Sequence, residues 1–283
     1  MVRGAAAMVA TAALAAAAAQ AAEPAEDPLW EIGAVGGGGW IPDYPASSQN
    51  HLRALALPYA VYRGEILRLG DRGAARGIIY DDRRIELDLG LDAAFPVDSD
   101  DNDAREGMDN LDYLLELGPR IRYRFLPEPD GREFDASLAV RGVVSTDFRN
   151  WRWQGVVINP ALAYRIRPFE DHDLRLVASV GPFWGVDGLN KYFYEVKPRD
   201  ERPGRPAYQA DNGYIGTELN LGATYGLWDR VRLFGGVQLG YWNGSANEDS
   251  PLWREELTVA VGGGLRVMLF RSERTVPRAR TGE

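Results

Sequence analysis

Apolar and polar residues alternate along most of this chain, and this alternation is the strongest pattern in the sequence. In the segment IELDLGLD (residues 85–92), Ile85 and the leucines fall on one face, and acidic residues and glycine fall on the other. The segments 111–126 and 214–228 repeat the pattern. A period of two is typical of a β-strand with one apolar and one polar face. We therefore predict an all-β protein built from long strands.

The connections between the predicted strands alternate in length. Connections such as 95–110 and 188–212 are long, whereas 82–83 and residue 229 are short. Outer-membrane barrels show this asymmetry, with longer loops outside and short turns in the periplasm. Twelve strands are predicted, at 29–40, 52–62, 65–70, 76–81, 84–94, 111–126, 133–146, 154–169, 173–187, 213–228, 230–242 and 256–270.

The predicted fold is a transmembrane, antiparallel, up-and-down β-barrel. Segment 111–126 covers 16 residues, which is more than the roughly 9–11 that cross a bilayer at a tilt. The strand number falls to ten if 65–70 and 76–81 form a hairpin outside the wall. Strict alternation places Phe270 on the same face as Arg266, so we also predict a bulge or register change in the last strand.

The polar faces of two neighbouring predicted strands carry rows of opposite charge. Cross-strand neighbours in an antiparallel pair lie within side-chain reach of each other. These rows predict either a lumen filled by salt bridges, which we favour, or a charged constriction that selects small polar solutes. The candidate lumen charge cluster consists of Glu86, Asp88, Asp92, Arg120, Arg122 and Arg124.

Aromatic residues gather near the ends of the predicted strands, as in the two interfacial girdles of outer-membrane barrels. On the outside we expect Trp40, Tyr44, Phe148, Trp151 and Trp153, and at the periplasmic interface Tyr164, Phe169 and Trp228.

Composition and the chain ends indicate an exported protein. Residues 1–21 combine Arg3, a run of small apolar residues and an A-x-A site, and are predicted to be a cleaved signal peptide. Residues 22–270 are predicted to form the barrel, and 271–283 a short basic periplasmic tail.

The net charge of −9 disfavours nucleic-acid binding. The absence of cysteine excludes disulfides and thiolate metal sites.

No arrangement of residues in the sequence predicts catalysis or metal binding, and no cofactor is expected. His51 and His172 are predicted at opposite ends of the barrel, so they cannot share a site. His51 lies close in sequence to Ser47, which leaves a lipid-modifying enzyme as a distant alternative. The acidic segment 98–103 leaves calcium binding open, although Asp103 occupies the position where a calcium loop has glycine.

Three stretches of the chain resemble the MipA/OmpV family of outer-membrane proteins. Residues 42–48 read PDYPASS, similar to the family's P-D-Y-x-G-S with Ala46 in place of glycine, and residues 57–62 read LPYAVY, similar to L-P-x-x-x-Y. Residues 249–252 read DSPL, similar to D-S-P-[IL], and 192–193 and 208–210 also fit. The candidate outer-loop motif consists of Pro42, Asp43, Tyr44, Pro45 and Ser47.

The resemblance implies a non-enzymatic outer-membrane β-barrel in a bacterial envelope. A named family member is regarded as a scaffold that joins a murein hydrolase to a murein synthase, and other members are treated as porin-like or antibiotic-related proteins. We therefore expect an envelope scaffold, with a narrow channel for small solutes or antibiotics as the alternative. The expected partners are outer-membrane lipids, lipopolysaccharide and those two murein enzymes.

Overall fold

The computed structural model describes residues 26–63, 68–69, 76–126, 132–169 and 172–277, and most of these residues lie in β-strands. A short helix, α1 (Leu189–Tyr194), lies between the tenth and eleventh strands. The strands are β1 (Glu26–Pro28), β2 (Trp30–Pro42), β3 (Asn50–Arg63), β4 (Arg68–Leu69), β5 (Arg76–Asp81), β6 (Ile85–Ala94), β7 (Tyr113–Leu126), β8 (Arg132–Thr146), β9 (Trp151–Ile166), β10 (Leu174–Val186), β11 (Gly213–Trp228), β12 (Val231–Tyr241), β13 (Leu257–Arg271) and β14 (Thr275–Pro277).

Within the described residues, the twelve strands from β2 to β13 form a closed barrel in which each strand is antiparallel to its neighbours. The barrel closes because β2 pairs with β3 on one side and with β13 on the other. The two-residue strand β4 lies in the wall between β3 and β5. Strands β1 and β14 pair only with each other, as a ribbon below the barrel.

The outer surface of the barrel is apolar along its strands. One face of each long strand carries large apolar side chains that are exposed, as expected where a wall meets lipid rather than water. Examples are Leu117, Ile121, Leu138, Val140, Leu162, Leu219, Leu221, Leu233, Val237, Val259, Val261 and Leu265. The predicted all-β, transmembrane barrel fold is thus confirmed.

Helices contribute little to the structure. None of those in the described part of the chain is long and apolar enough to cross a membrane.

The last barrel strand contains the predicted register change. The pairing of β13 with β2 shifts between Met268 and Phe270. As a result the Phe270 side chain is 64% exposed on the outer surface. Arg266 instead points into the lumen, where its guanidinium carbon lies 4.0 Å from the centre of the Tyr59 ring.

The ends of the barrel differ in the length of their connections. The long connections lie at the end where β2 finishes, which we call the outer end, and the ribbon of β1 and β14 lies at the periplasmic end. Trp40, Phe148, Trp151 and Trp153 are exposed at the outer end, as predicted. Tyr44 is not, because it is 3% exposed inside the packed outer loops.

Two predicted segments reach beyond the described residues. The predicted signal peptide, 1–21, lies outside them, as do residues 278–283 of the predicted tail. The beginning of that tail is ordered, since Thr275, Val276 and Pro277 pair with Pro28, Asp27 and Glu26.

Candidate functional site: the outer cap and the lumen

Four connections at the outer end pack together into a cap over the barrel mouth. They are 43–49, 95–112, 187–212 and 242–256. We call this assembly the outer cap. Its members and the adjoining strand ends contain the main hydrophobic core of the described residues, because the barrel lumen itself is polar. The core consists of Tyr44, Ala46, Val97, Ala104, Leu111, Leu114, Val143, Val157, Leu189, Tyr194, Val196, Ala210, Ile215, Trp242 and Leu252.

The predicted outer-loop motif lies at the centre of the outer cap, and Asp43 is its main polar group. The Asp43 side chain is fully buried and accepts hydrogen bonds from three residues. His51 Nδ1 lies 2.8 Å and Arg53 Nη2 3.0 Å from Oδ1, and Asn102 Nδ2 donates to Oδ2 at 2.8 Å. Asp43 therefore joins the first outer loop to β3 and to the loop 95–112.

Hydrogen bonds connect the first outer loop to two distant parts of the chain. The Tyr44 hydroxyl donates to the carbonyl of Leu252 at 2.8 Å, and the Tyr194 hydroxyl donates to the carbonyl of Pro45 at 3.1 Å. Ser250 Oγ completes the connection by donating to the Tyr194 carbonyl at 2.7 Å. Burial raises the pKa of Tyr44 to about 12, so its hydroxyl keeps the proton it donates at neutral pH.

The family-like stretches are therefore together in the structure, although they are far apart in sequence. Residues 42–48, 192–194 and 249–252 meet in the outer cap, and Tyr208 reaches it through a 3.3 Å hydrogen bond to Asn247. The stretch 57–62 is the exception because it lies on β3 toward the periplasmic end. There Val61 is 2% exposed.

The backbone at Ala46 explains why glycine is favoured at this position. Ala46 has a φ of 64°, in the left-handed region that side chains disfavour. Its carbonyl accepts hydrogen bonds from the backbone N–H groups of Arg254, at 2.9 Å, and Glu255, at 3.1 Å. The left-handed turn aims this carbonyl at the last outer loop and thereby holds the outer cap together.

Two buried arginines bind backbone carbonyl groups in the outer cap. Arg105 is 3% exposed and donates to the carbonyls of Phe193 and Asp109, each at 3.2 Å. Arg205 is 5% exposed and donates to the carbonyls of Asp200, Ala104 and Glu106. Burial lowers the pKa of both guanidinium groups. Together they fasten the loop 95–112 to the loop 187–212.

Most of the predicted lumen charge cluster forms ion pairs between β6 and β7. Arg120 contacts Asp88 at 2.9 Å and Arg122 contacts Glu86 at 3.2 Å. Arg124 also binds Glu86, and it contacts Asp81 of β5 at 2.9 Å. These pairs follow directly from the register, in which Glu86 faces Arg122 and Asp88 faces Arg120.

Asp92 is the member of the predicted cluster that the register separates from the arginines. It faces Glu116 on β7, and both of these are acidic. Glu116 is paired instead with Arg141 of β8, at 2.9 Å. Five members of the cluster are thus ion-paired with one another, as Arg120 with Asp88 and as Arg122 and Arg124 with Glu86, whereas Asp92 faces Glu116.

Further ion pairs, which were not among the predicted residues, extend from Arg122 to β8 and β9. Arg122 also contacts Asp135 at 3.4 Å and Glu133 at 4.0 Å, and Arg165 of β9 binds both carboxylates. These residues share the polar face of their strands, so the alternation of β8 and β9 could have identified them. We call the ion-paired residues of β5 to β9 the charged wall.

The opposite side of the lumen contains glycine in place of charge. In the pairing of β11, β12, β13 and β2, Gly222 faces Gly236, Gly236 faces Gly262, and Gly262 faces Gly39. A cavity of about 420 Å³ lies against these glycines. We call this surface the glycine wall.

The groups considered for chemistry are engaged in structural contacts. His51 binds Asp43, and Ser47 Oγ donates to the Gln49 carbonyl at 3.1 Å. In the acidic segment, Asp98 and Asp100 accept hydrogen bonds from the backbone N–H groups of Asp100 and Gly107. Over the described ranges, no group of three or more His, Cys, Asp or Glu side chains is placed to hold a metal ion.

Comparison with known proteins gives one family and several structural likenesses. A family model described as "MltA-interacting protein MipA" matches residues 32–267. No curated protein matches the chain.

Three solved structures are similar at low sequence identity. A bacterial polysaccharide outer membrane secretin is 10% identical with a TM-score of 0.40, over 86% of this chain and 98% of its own. The translocator domain of the autotransporter NalP from Neisseria meningitidis is 10% identical with a TM-score of 0.37, over 88% and 91%. OprG from Pseudomonas aeruginosa is 12% identical with a TM-score of 0.25, over 86% and 94%. At these TM-scores the likenesses carry no argument about function.

Proposed function

Since the chain belongs to the MipA family and is an outer-membrane β-barrel protein, we propose that it serves as a non-enzymatic scaffold in the bacterial envelope. In this role it holds a murein-hydrolysing enzyme close to a murein-synthesising enzyme. The observation that carries the proposal is the family match, because the family is described by its interaction with MltA and the match covers residues 32–267.

The geometry of the barrel supports a binding role at the periplasmic end. The outer cap covers the mouth, and the charged wall lines one side of the lumen with internal ion pairs. Murein lies on the periplasmic side of the outer membrane, so partners would bind at that end. There the ribbon of β1 and β14, followed in sequence by a basic tail, offers a surface that projects below the wall.

Reconstitution with purified enzymes tests the scaffold proposal. The full mature chain is immobilised in detergent, and a purified lytic transglycosylase and a murein synthase are added singly and together. We expect each to bind alone and both to be retained together. A chain that ends at Ser272 should lose binding, whereas Trp151→Ala at the outer rim should retain it. Retention of neither enzyme by the full chain would contradict the proposal.

The alternative function is a narrow channel for small solutes or antibiotics, and the cavity beside the glycine wall favours it. This cavity of about 420 Å³ leaves open space in the lumen. Conductance in planar bilayers tests this role. Discrete single-channel steps would support a channel, and a silent barrel would exclude it.

Two further parts of the proposal concern the membrane and export. Phe148, Trp151 and Trp153 are exposed at the outer rim, where they would contact lipopolysaccharide and other outer-membrane lipids.

We also propose that residues 1–21 are removed during export. N-terminal sequencing of protein from outer-membrane fractions tests this cleavage, and a retained Met1 would contradict it.

A further inference from the structure

The glycine wall forms the floor of a trench that runs across four strands. Leu221, Val237, Val261 and Trp40 are exposed on the outer surface, so the glycines next to them in sequence face the lumen. These are Gly222, Gly236, Gly262 and Gly39, which stand side by side across β11, β12, β13 and β2. Four neighbouring positions without side chains leave a recess beside a wall whose other residues project inward.

Apolar side chains border this trench on its periplasmic side and are exposed to the lumen. Phe234 and Leu55 occupy the next row of lumenal positions, with Gly264 and Gly37 between them. Phe234 is 38% exposed and Leu55 is 46% exposed. Phe95 lines the same cavity as Phe234. An exposed aromatic and aliphatic patch inside a polar lumen is unusual and marks a surface that an apolar molecule can cover.

Polar side chains border the trench on its outer side. Asn220 of β11 faces Gln238 of β12 directly, and both line the cavity. Arg53 lies at the β3 end of the trench, but its guanidinium donates to Asp43 at 3.0 Å, which offsets its charge. Glu218 is the next lumenal residue of β11 beyond Asn220. A carboxylate held at Asn220 and Gln238 would therefore approach Glu218, whereas an uncharged head could bind the two amides.

We propose that the trench binds a small planar molecule with an apolar body and a single uncharged hydrogen-bonding head, such as an aromatic amide. Its ring would lie on the glycine floor against Phe234, and its head would bind Asn220 and Gln238. The cavity of about 420 Å³ lies within the range of roughly 300–1,000 Å³ typical of small-molecule sites. This site is independent of the scaffold role, because it lies in the lumen and not at the periplasmic surface.

Calorimetric titration with 2-naphthamide tests the site, with the full mature chain in detergent and a detergent blank. The variants Phe234→Ala and Leu233→Ala form a matched pair, since they are adjacent on β12 and face the lumen and the lipid respectively. Loss of the Phe234 ring should weaken binding about tenfold, because the ring is the main apolar contact. Leu233→Ala should leave the affinity within about twofold, because Leu233 faces the lipid and does not line the cavity.

A second pair of variants tests whether a side chain added to the trench floor blocks binding. A Cβ atom at Gly222 would lie 2.9 Å from Cγ1 of Val177, a side-chain atom that can move, and one at Gly235 would lie 3.3 Å from the carbonyl oxygen of Gly262. Gly222→Leu should abolish naphthamide binding, and the outward-facing Gly235→Leu should not. If Gly222→Leu fails to fold, the Phe234 and Leu233 pair still decides the outcome.

The head group is tested with 2-naphthoate, which differs from 2-naphthamide by carrying a carboxylate. We expect it to bind about tenfold more weakly than the amide. Equal binding of the two probes would overturn the inference of an uncharged head. Naphthamide binding that is absent, or that is unchanged in Phe234→Ala and Gly222→Leu, would overturn the site.

Discussion

At the scale of single residues, the outer cap depends on backbone positions whose conformations are costly for ordinary side chains. Ala46 at φ 64° and Asp187 at φ 56° lie in the left-handed region within the outer cap, and Phe148 at φ 67° does so in the outer turn between β8 and β9. Each lies in a connection at the outer end of the barrel. Such conformations persist only where surrounding contacts hold them, which indicates that the outer cap is a fixed structure.

Ala46→Gly is expected to be almost neutral for stability. Removing the side chain relieves about 1–2 kcal/mol of left-handed strain, but it loses about 0.8 kcal/mol of methyl burial and about 0.5–1 kcal/mol of chain entropy. Ala139→Gly is the matched control, because Ala139 is also buried but lies in regular strand β8. The control should lose about 1–2 kcal/mol. Denaturant unfolding in detergent measures both, and equal losses would contradict the prediction.

Asp147 provides a test of the outer turn between β8 and β9 at acid pH. Hydrogen bonds from Asn150 and Arg149 lower its pKa to about 2, chiefly through the backbone N–H of Asn150. Because the folded pKa is depressed, this stabilisation is present above the unfolded value of about 3.9 and is lost as the pH falls through about 2. NMR titration of the carboxyl carbon should give a pKa near 2, and a normal value would contradict the turn geometry.

At the scale of strands and loops, register and buried charge decide what the sequence pattern means. The charged wall assembles because β6, β7, β8 and β9 place their polar faces on one side of the lumen. A buried ion pair contributes little net stability, but loss of one partner leaves the other buried and uncompensated.

Arg122→Ala is expected to destabilise the barrel by about 3–5 kcal/mol. Arg122 is 5% exposed and contacts Glu86, Glu133 and Asp135, so its removal weakens the compensation of three carboxylates. Arg132→Ala is the control, because Arg132 is exposed at the start of β8. It should change the free energy of unfolding by less than about 0.5 kcal/mol. Denaturant unfolding in detergent compares the two, and a small effect of Arg122→Ala would contradict the charged wall.

Arg105→Ala is expected to loosen the outer cap without unfolding the barrel. The Arg105 guanidinium bridges the carbonyls of Asp109 and Phe193, and no other side chain makes both contacts in the described residues. Limited proteolysis with a protease that cuts at acidic residues should then cut within 95–112, where Glu106 and Asp109 lie. The exposed Arg149→Ala should leave the wild-type digestion pattern. Resistance of Arg105→Ala to proteolysis would show that the buried arginine is dispensable.

At the scale of the whole molecule, the barrel reverses the usual arrangement of a water-soluble protein. Its apolar side chains face outward over the strands, its lumen is charged, and the main hydrophobic core lies in the outer cap. A closed hydrogen-bonded wall leaves no edge along most of the barrel, and this makes such proteins resistant to denaturation.

The whole-molecule prediction is that the protein stays folded in detergent until it is heated. Unheated samples should migrate faster in detergent gels than boiled samples, and circular dichroism in detergent should be rich in β-structure. The outward apolar face requires detergent for solubility. A protein that is fully soluble without detergent would contradict this prediction.

The sequence determined the features that depend on local pattern. Period-two alternation is a property of each strand by itself, so it predicted the barrel fold, the alternating loop lengths, the β6 to β7 charge pairs and the register change before Phe270. It did not predict that Tyr44 is buried in the outer cap, nor that Asp92 faces Glu116 and not an arginine. Both outcomes depend on which residue of another segment lies opposite.

Only the tertiary structure decided how the segments meet. Contacts between Asp43 and Asn102, or between Tyr44 and Leu252, join residues that are distant along the chain and leave no periodic signal. The side-by-side glycines of four strands also depend on the register of each pair, which is set by hydrogen bonds along the whole wall. Local alternation therefore determined the wall, whereas the outer cap and the trench arise from long-range pairing that the sequence pattern does not encode.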